Sequence, residues 1–442
     1  MSYHFIGIGG IGMSGLARIL LQRGASVSGS DLAASRATEA LQREGAVIHF
    51  GHAPEHVPSQ ATVVYSSAVA AHNPEYQCAQ ERGLPLWHRA QLLAALMDGY
   101  RQILVTGTHG KTTTASLLAH VFVAAGKDPA YAIGGVVNSL QTHAAEGKGL
   151  YFVAEADESD GSFSHYAPFA AVVTNADRDH LDYWQTERAL LRGFEAFAAK
   201  TAYRLVWCAD DPRLASLGLL GVSYGCTEQA DARLLRVDLR SWELAFDLRC
   251  EGRLYADVRV PLIGRHNALN SAAVFVLCLQ LGVPETVIRR AFLSFQGVGR
   301  RMERKGEARG IAVYDDYGHH PTEIAETLAA LRSAAPDKRL VVAFQPHRYT
   351  RTRDCLELFA PALAAADVVV LTDIYAAGEA PLPGVAATEL LRRLPEGTHY
   401  APRDALAERL LRLLQPNDLL MTLGAGDVTE VGPVVLAGLR DS

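Results

Sequence analysis

Residues 103–116, ILVTGTHGKTTTAS, set an apolar run, a small glycine turn, a lysine and three threonines in immediate succession. The apolar run reads as a strand and the following TASLLAHVFVAAG as a helix. A turn joining the two aims its backbone N–H groups inward and, with the helix N-terminus, forms a nest for phosphate oxygens. Gly107, Thr108, His109 and Gly110 make that turn. Lys111 brings an ammonium to the outer phosphates, Thr112 offers a hydroxyl to Mg²⁺, and Thr113 follows in the helix start. The spacing departs from the usual G-x-x-x-x-G-K-[ST] pattern, because Val105 stands where the first glycine belongs and Gly107 is the first glycine present. An incidental glycine turn is the competing reading.

A second glycine turn, HFIGIGGIGMSG, opens the chain and supplies Gly7-x-Gly9-x-x-Gly12 with Asp31 at the end of the next strand. Glycines in this pattern admit a pyrophosphate and the acid takes a ribose hydroxyl. A nicotinamide or flavin cofactor, a nucleotide sugar and a purely structural turn all fit this stretch alone. The second phosphate turn weighs against hydride transfer, which has no need of ATP.

A chain of 442 residues exceeds what one hydrophobic core serves and predicts two to four domains. Its 49% hydrophobic content contains no apolar run of transmembrane length, and MSYHFIGIGG has neither a basic leader nor a cleavage pattern, so a cytoplasmic protein is expected. The cysteines, at 78, 208, 226, 250, 278 and 355, form no CxxC, which argues against a disulfide framework or a thiolate zinc site. A net charge of −6 without a long basic block argues against a nonspecific hold on nucleic acid. Strand-like and helix-like segments alternate in three blocks, an α/β pattern. RLLRVDL, WELAFDLRC and GRLYADVRV predict antiparallel strands at one edge of the second block, and FQGVGRRMERKGEARG reads as a boundary.

Acids follow two further strands. YFVAEADESDGSF carries Glu155, Asp157, Glu158 and Asp160; VVTNADRDHLD carries Asn175, Asp177, Asp179, His180 and Asp182. Carboxylates at strand ends beside a phosphate turn are Mg²⁺ ligands by charge and hardness, with Glu155 the first choice, and a solvated acidic loop is the alternative. IGRHNALN places His266, Asn267 and Asn270 at a helix start, as a wall against a base or as caps. In the third block, VYDDYGHHPTEI and FQPHRYTRT each follow a strand, so Asp316, His319, His320, His347 and Arg348 project from the carboxyl ends of a parallel sheet. Arg348 offers a fork to a carboxylate or phosphate, whereas at least one of the adjacent histidines serves as a cap or packs.

With YSSAV, GRHNALNSAA, FQGVGRRME and TLGAGDV, these motifs in this order resemble the Mur ligase family over essentially the whole chain. The resemblance implies three domains: a Rossmann-like UDP-N-acetylmuramate-binding domain over 1–98, a central P-loop ATPase domain over 99–298, and a Rossmann-like amino-acid-binding domain over 299–442. It implies ATP-dependent ligation of L-alanine to the lactyl carboxylate of UDP-N-acetylmuramate through an acyl phosphate. By the same resemblance Gly107 to Thr113 hold ATP with Lys111 on its phosphates; Thr112, Glu155 and His180 hold Mg²⁺; Asn267 and Asn270 lie on the adenine side; Arg301 and Asp316 position the nucleotide. Gly9, Gly10, Ile11, Gly12, Asp31, Ser66 and Ser67 line the UDP pocket, and His347 and Arg348 meet the reacting groups, with His180 and His347 as candidates for the amine proton. Some relatives carry a carbamylated lysine after DHLD; no lysine occurs here between His180 and Lys200, so no carbamate is expected. Asp177 replaces a longer acid. Ligation of a preformed peptide, UDP-sugar binding without catalysis and NAD-dependent redox chemistry are the competing readings. The sequence does not choose between a monomer and a homodimer.

Overall fold

The computed structural model describes residues 1–441, with the side chains of Asp182 and Arg240 lying outside the described residues. The first sheet contains β1 (Ser2–Ile6), β2 (Ser26–Asp31), β3 (Val47–Phe50), β4 (Thr62–Tyr65) and β5 (Leu86–His88) in the order β3-β2-β1-β4-β5. All its pairings are parallel. The chain winds outward on both sides of β1, so the crevice beyond the carboxyl end of β1 is a topological switch point, and the glycine turn opens there.

The second sheet holds β6 (Arg101–Thr106), β7 (Ala130–Val137), β8 (Thr142–Ala145), β9 (Tyr151–Glu155), β10 (Ala170–Val173), β11 (Arg204–Cys208), β12 (Val222–Gly225), β13 (Ala232–Arg240), β14 (Glu243–Cys250) and β15 (Arg253–Val260). Its order is β15-β14-β13-β12-β11-β10-β6-β9-β7-β8. Parallel register sets Val173 of β10 beside Thr106 of β6, and Glu155 of β9 beside Val105. Three strand ends therefore reach the same edge. β13, β14 and β15 are neighbours in sequence order at the far edge, as expected. Their two-residue connections admit only antiparallel hairpins.

The third sheet is built from β16 (Glu303–Ala308), β17 (Ile311–Asp316), β18 (Leu340–Phe344), β19 (Val368–Leu371), β20 (His399–Tyr400) and β21 (Leu419–Leu423), ordered β16-β17-β21-β18-β19-β20. LVVAF and LLMTL are buried at every position, because helices cover both faces of this sheet and alternation would strand polar groups in the core. β16 is antiparallel to β17 and lies inside the stretch read as a boundary. Its charged sequence, ERKGEA, suits an exposed edge, where repulsion discourages a further strand. The same charge hid it from a reading based on apolar runs. β3, β5, β7, β8, β12 and β20 also go beyond the expected strands: most are short, and β7, AYAIGGVV, is interrupted by glycines.

The chain packs as two compact units, one of Met1–Arg236, Phe246–Val260 and Leu269–Gln296, the other of Val237–Ala245, Pro261–Ala268 and residues 297 onward. The first unit thus includes the first sheet and most of the second. Its two sheets are joined through the helix Ile11–Gln22, which follows the glycine turn and lies on the β7–β8 hairpin. A Cβ on Gly15 would stand 3.1 Å from Ala144 Cβ. Arg18 donates to Thr142 Oγ1 at 2.8 Å, Arg23 pairs with Glu146 at 3.0 Å, and Ser14 Oγ lies 3.2 Å from His143 Nε2. Burial, helped by the Arg18 charge, pushes His143 down to about 4, so it sits neutral in this contact. Gly15→Leu is expected to lower unfolding free energy by about 1–3 kcal/mol through overpacking. Denaturant titration against wild type measures it; an unchanged midpoint would show that the helix does not depend on this close approach.

Candidate active site

The phosphate turn leaves β6 at Thr106 and enters the helix Lys111–Ala124. Gly107 has φ 130° and Gly110 φ 83°, and a Cβ on Gly107 would lie 2.0 Å from Thr174 Oγ1. Both conformation and space therefore require glycine at 107. Val105 is fully buried within β6, which explains the unusual spacing: the position where the longer pattern has glycine is strand interior here. The turn is clamped by the segment after β10. His109 N–H donates to Asn175 Oδ1 at 2.8 Å, Asn175 Nδ2 and Thr174 Oγ1 donate to the His109 carbonyl at 3.0 and 2.7 Å, and Asp177 N–H donates to Thr108 Oγ1 at 2.9 Å. Asn175, which stands with the acids in the stretch after β10, has a clear role in this clamp. Asp177 meets His109 Nε2 at 3.1 Å despite being the shorter acid.

Lys111 Nζ donates to the Gly107 carbonyl and to Glu158 Oε2, both at 2.7 Å. Burial alone would lower the lysine, but Glu158 and Asp157 more than compensate and hold it above its ordinary value. Glu158 is fully buried, and that burial raises its carboxyl against the opposing pull of Lys111. His180 Nε2 lies 3.5 Å from Asp179 and 3.7 Å from Glu158, at a backbone φ of 56°. Thr112 Oγ1 donates to Glu155 Oε2 at 3.0 Å, while Glu155 Oε1 accepts from Gly134 N–H at 2.6 Å. A hydroxyl facing a carboxylate at a phosphate turn is a hard-oxygen pair suited to Mg²⁺. Thr113 is buried one residue further on, and a Cβ on Gly110 would stand 2.9 Å from Asn270 Nδ2, so Asn270 lies against the turn.

At the first glycine turn, Gly7 and Ile8 N–H both donate to the Ser30 carbonyl at 2.9 Å, and Gly9 N–H donates to Asp31 Oδ2 at 2.7 Å. Asp31 also accepts from Leu32 N–H, so its carboxylate braces the turn. Gly10 precedes the helix without a side-chain cap, Ile11 is exposed at its first position, and Gly12 lies against Arg89. The Ser66 carbonyl caps a turn to Val69, and Ser67 Oγ donates to Asp160 Oδ2 at 2.9 Å and lies 3.0 Å from His88 Nε2. Glu155 and Glu158 thus face the phosphate turn, while Asp157 and Asp160 face Arg89 and Ser67. The sequence listed these acids but could not sort them.

In the second unit, Asp316 ends β17 and accepts from Met302 and Gly318 N–H, both at 2.7 Å. Burial raises its carboxyl even though Arg301 opposes the shift. Arg301 lies over the Tyr317 ring at 5.0 Å. His347 stacks on Tyr375, with centroids 5.7 Å apart, and burial together with His319 and three arginines pushes it down to about 3. Arg348 is exposed, has φ 68°, and makes no side-chain hydrogen bond or ion pair among the described residues. His320 caps the helix Pro321–Ala334, as the plain reading of one histidine had it. Asn267 Nδ2 donates to the Ile263 carbonyl at 2.8 Å.

Three doubly wound or mixed sheets, with a lysine phosphate turn at a parallel sheet edge, define an α/β protein built to use a nucleoside triphosphate. Three family models match in order: Mur ligase family, catalytic domain, at 2–101; Mur ligase middle domain at 105–278; and Mur ligase, glutamate ligase domain, at 300–426. The chain belongs to the Mur ligase family. It is 46% identical to the UDP-N-acetylmuramate–L-alanine ligase of Protochlamydia amoebophila over 99% of this chain and 98% of that one. Identity to the ligase of the same name from Geobacter sulfurreducens is 45%, with the same coverage. The crystal structure of UDP-N-acetylmuramate–alanine ligase MurC from Thermotoga maritima superposes with a TM-score of 0.87 at 29% identity, covering 100% of this chain and 99% of that one.

Gly107→Ala is expected to cut phosphate release from ATP by about 100-fold, the scale of losing one preorganised backbone donor, while the protein stays folded. Steady-state phosphate release, with circular dichroism as control, checks it; near-normal turnover would mean that the turn tolerates a shifted Thr174.

Proposed function

We propose that this chain ligates L-alanine to the lactyl carboxylate of UDP-N-acetylmuramate while ATP is cleaved to ADP and phosphate, a step of peptidoglycan precursor synthesis. The observation that carries this reading is the pairing of Lys111 with Glu158 and Thr112 with Glu155 at the phosphate turn, in the same unit as the glycine turn at 7–12. Likeness to alanine ligases across the whole chain supports the choice of acceptor.

A carboxylate is a poor acyl donor because its oxygen is a poor leaving group. The lactyl carboxylate therefore attacks the γ-phosphorus of ATP, displacing ADP and giving an acyl phosphate. The free amine of alanine adds to that carbonyl, and the tetrahedral intermediate expels phosphate and loses a proton to leave the amide. In this reading Lys111 and the N–H groups of Gly107 to Thr113 stabilise charge on the transferring phosphoryl group. Thr112 and Glu155, with His180, would hold Mg²⁺, which screens phosphate charge. Gly9 to Gly12, Asp31, Ser66 and Ser67 are assigned to the nucleotide sugar, Asn267 and Asn270 to adenine, and Arg301 and Asp316 to nucleotide positioning. A histidine pushed down to about 3 holds a proton poorly, so His347 serves as a neutral hydrogen-bonding partner. The domain boundaries assigned are 1–98, 99–298 and 299–442. A cytoplasmic setting is assigned; among the described residues no helix is long and apolar enough to cross a membrane.

Purified protein given ATP, Mg²⁺, UDP-N-acetylmuramate and L-alanine is expected to form UDP-N-acetylmuramoyl-L-alanine with equal ADP and phosphate, detected by mass spectrometry. A preformed tripeptide in place of alanine is expected to give no product, and the reverse preference would transfer the reading to a peptide-adding ligase. Arg348→Lys is expected to lower kcat/KM by about 30-fold or more, because a desolvated fork contact to charge is worth about 2–5 kcal/mol and an exposed one about 0–1. Titration of alanine and ATP checks it, and wild-type kinetics for both would leave Arg348 a surface residue.

A further inference from the structure

The segment 155–160 alternates its acids between two neighbours. Glu155 and Glu158 are engaged by Thr112 and Lys111 of the phosphate turn. Asp157 accepts from Arg89 Nη2 at 2.9 Å, and Asp160 lies 3.6 Å from the same guanidinium while accepting from Ser67. Arg89 itself belongs to the first block, at the start of the helix Arg89–Leu96, and its Nη1 is 3.6 Å from where a Cβ on Gly12 would be. One cation is thus set between the first glycine turn and the acidic segment. Asp157 is joined by a single peptide bond to Glu158, which holds Lys111. The segment is further pinned by Trp184 Nε1 donating to the Glu158 carbonyl at 2.9 Å and by Asp160 accepting from Ser162 N–H at 3.0 Å.

We propose that Arg89 is a positioning residue of the ligase reaction: by gripping Asp157 and Asp160 it fixes the strip whose other carboxylates aim Lys111 and Thr112 at the ATP phosphates. The inference rests on the ligase reading and adds a residue to it. Loss of the guanidinium leaves the half-buried Asp157 beside the buried Glu158 with one cation fewer, so the strip shifts and Lys111 loses its fixed direction. The first glycine turn keeps its own brace, since Asp31 and the Ser30 carbonyl hold it independently of Arg89.

The test is a cycle of Arg89→Gln, Asp157→Asn and the double variant, with Arg89→Lys as the charge-preserving control and thermal melting of each. Calorimetry with ADP and Mg²⁺, and separately with UDP-N-acetylmuramate, is read beside turnover. Each single variant is expected to lose about tenfold in ADP affinity and in kcat, and the double variant no more than either single one, because the partners act as a unit. Affinity for UDP-N-acetylmuramate stays within about twofold, and Arg89→Lys recovers part of the loss. Additive losses, or ADP binding at wild-type strength in Arg89→Gln, would overturn the inference. Selective loss of UDP-N-acetylmuramate affinity in Arg89→Gln but not in Asp157→Asn would overturn it too, by making Arg89 a direct ligand contact. If Arg89→Gln fails to fold, Asp157→Asn and Arg89→Lys carry the same comparison. Should wild type bind both ligands yet form no alanine product, the ligase reading falls while the ADP cycle still decides the role of Arg89.

Discussion

The ion pair between Lys111 and Glu158 is the interaction on which the phosphate turn depends. Taking two charges out of water costs several kcal/mol per ion, recovered only by good geometry and further hydrogen bonds. Here Lys111 meets Glu158 and the Gly107 carbonyl at 2.7 Å each, so the ammonium is held by its own turn as well as by the acid. Glu158 Oε1, by contrast, has no hydrogen-bond partner among the described residues. The pair is better understood as a device that keeps a buried lysine charged and aimed than as a source of stability.

That pair can form only because three strands end together. β6, β9 and β10 are parallel neighbours, and their register brings Thr106, Glu155 and Val173 to one edge. From that edge β6 delivers the turn, β9 the acids and β10 the Thr174–Asn175 clamp. Each group leaves a rigid strand with few intervening residues, so the site inherits the precision of the sheet. The clamp also explains why Gly107 has no room for a side chain: Thr174 already occupies the space.

In the second unit the dominant effect is desolvation. Asp316 is shifted up against the pull of Arg301, and His347 is shifted down with the help of His319 and three arginines, each toward its neutral form. Arg348 differs from them in being exposed and in occupying a positive-φ conformation that a β-carbon disfavours. A non-glycine residue held there next to the carboxyl end of β18 is where strain is commonly kept for function.

Much of this was legible in order along the chain. Apolar runs bounded by glycines marked most principal strands, and GTHGKTT and GIGGIG marked the turns, because strand-turn-helix phosphate sites are local and their residue types are dictated by backbone geometry. Edge strands such as ERKGEA escaped, since an exposed edge needs charge rather than an apolar run. The division of EADESD between two partners escaped for a different reason. Which acid faces Lys111 and which faces Arg89 depends on the path of the segment after β9 and on the helix Ile11–Gln22 lying against the β7–β8 hairpin, contacts between residues more than a hundred positions apart. The sequence by itself determined the α/β class, the two glycine turns and the types of group available for phosphate and metal. Only the tertiary structure decided that Asn175 clamps the turn, that Asp31 braces its own glycine loop, that His320 is a cap and that burial keeps His347 neutral. Spacing encodes what one strand-turn-helix unit does, whereas partner choice and pKa follow from distance and burial among units brought together by folding.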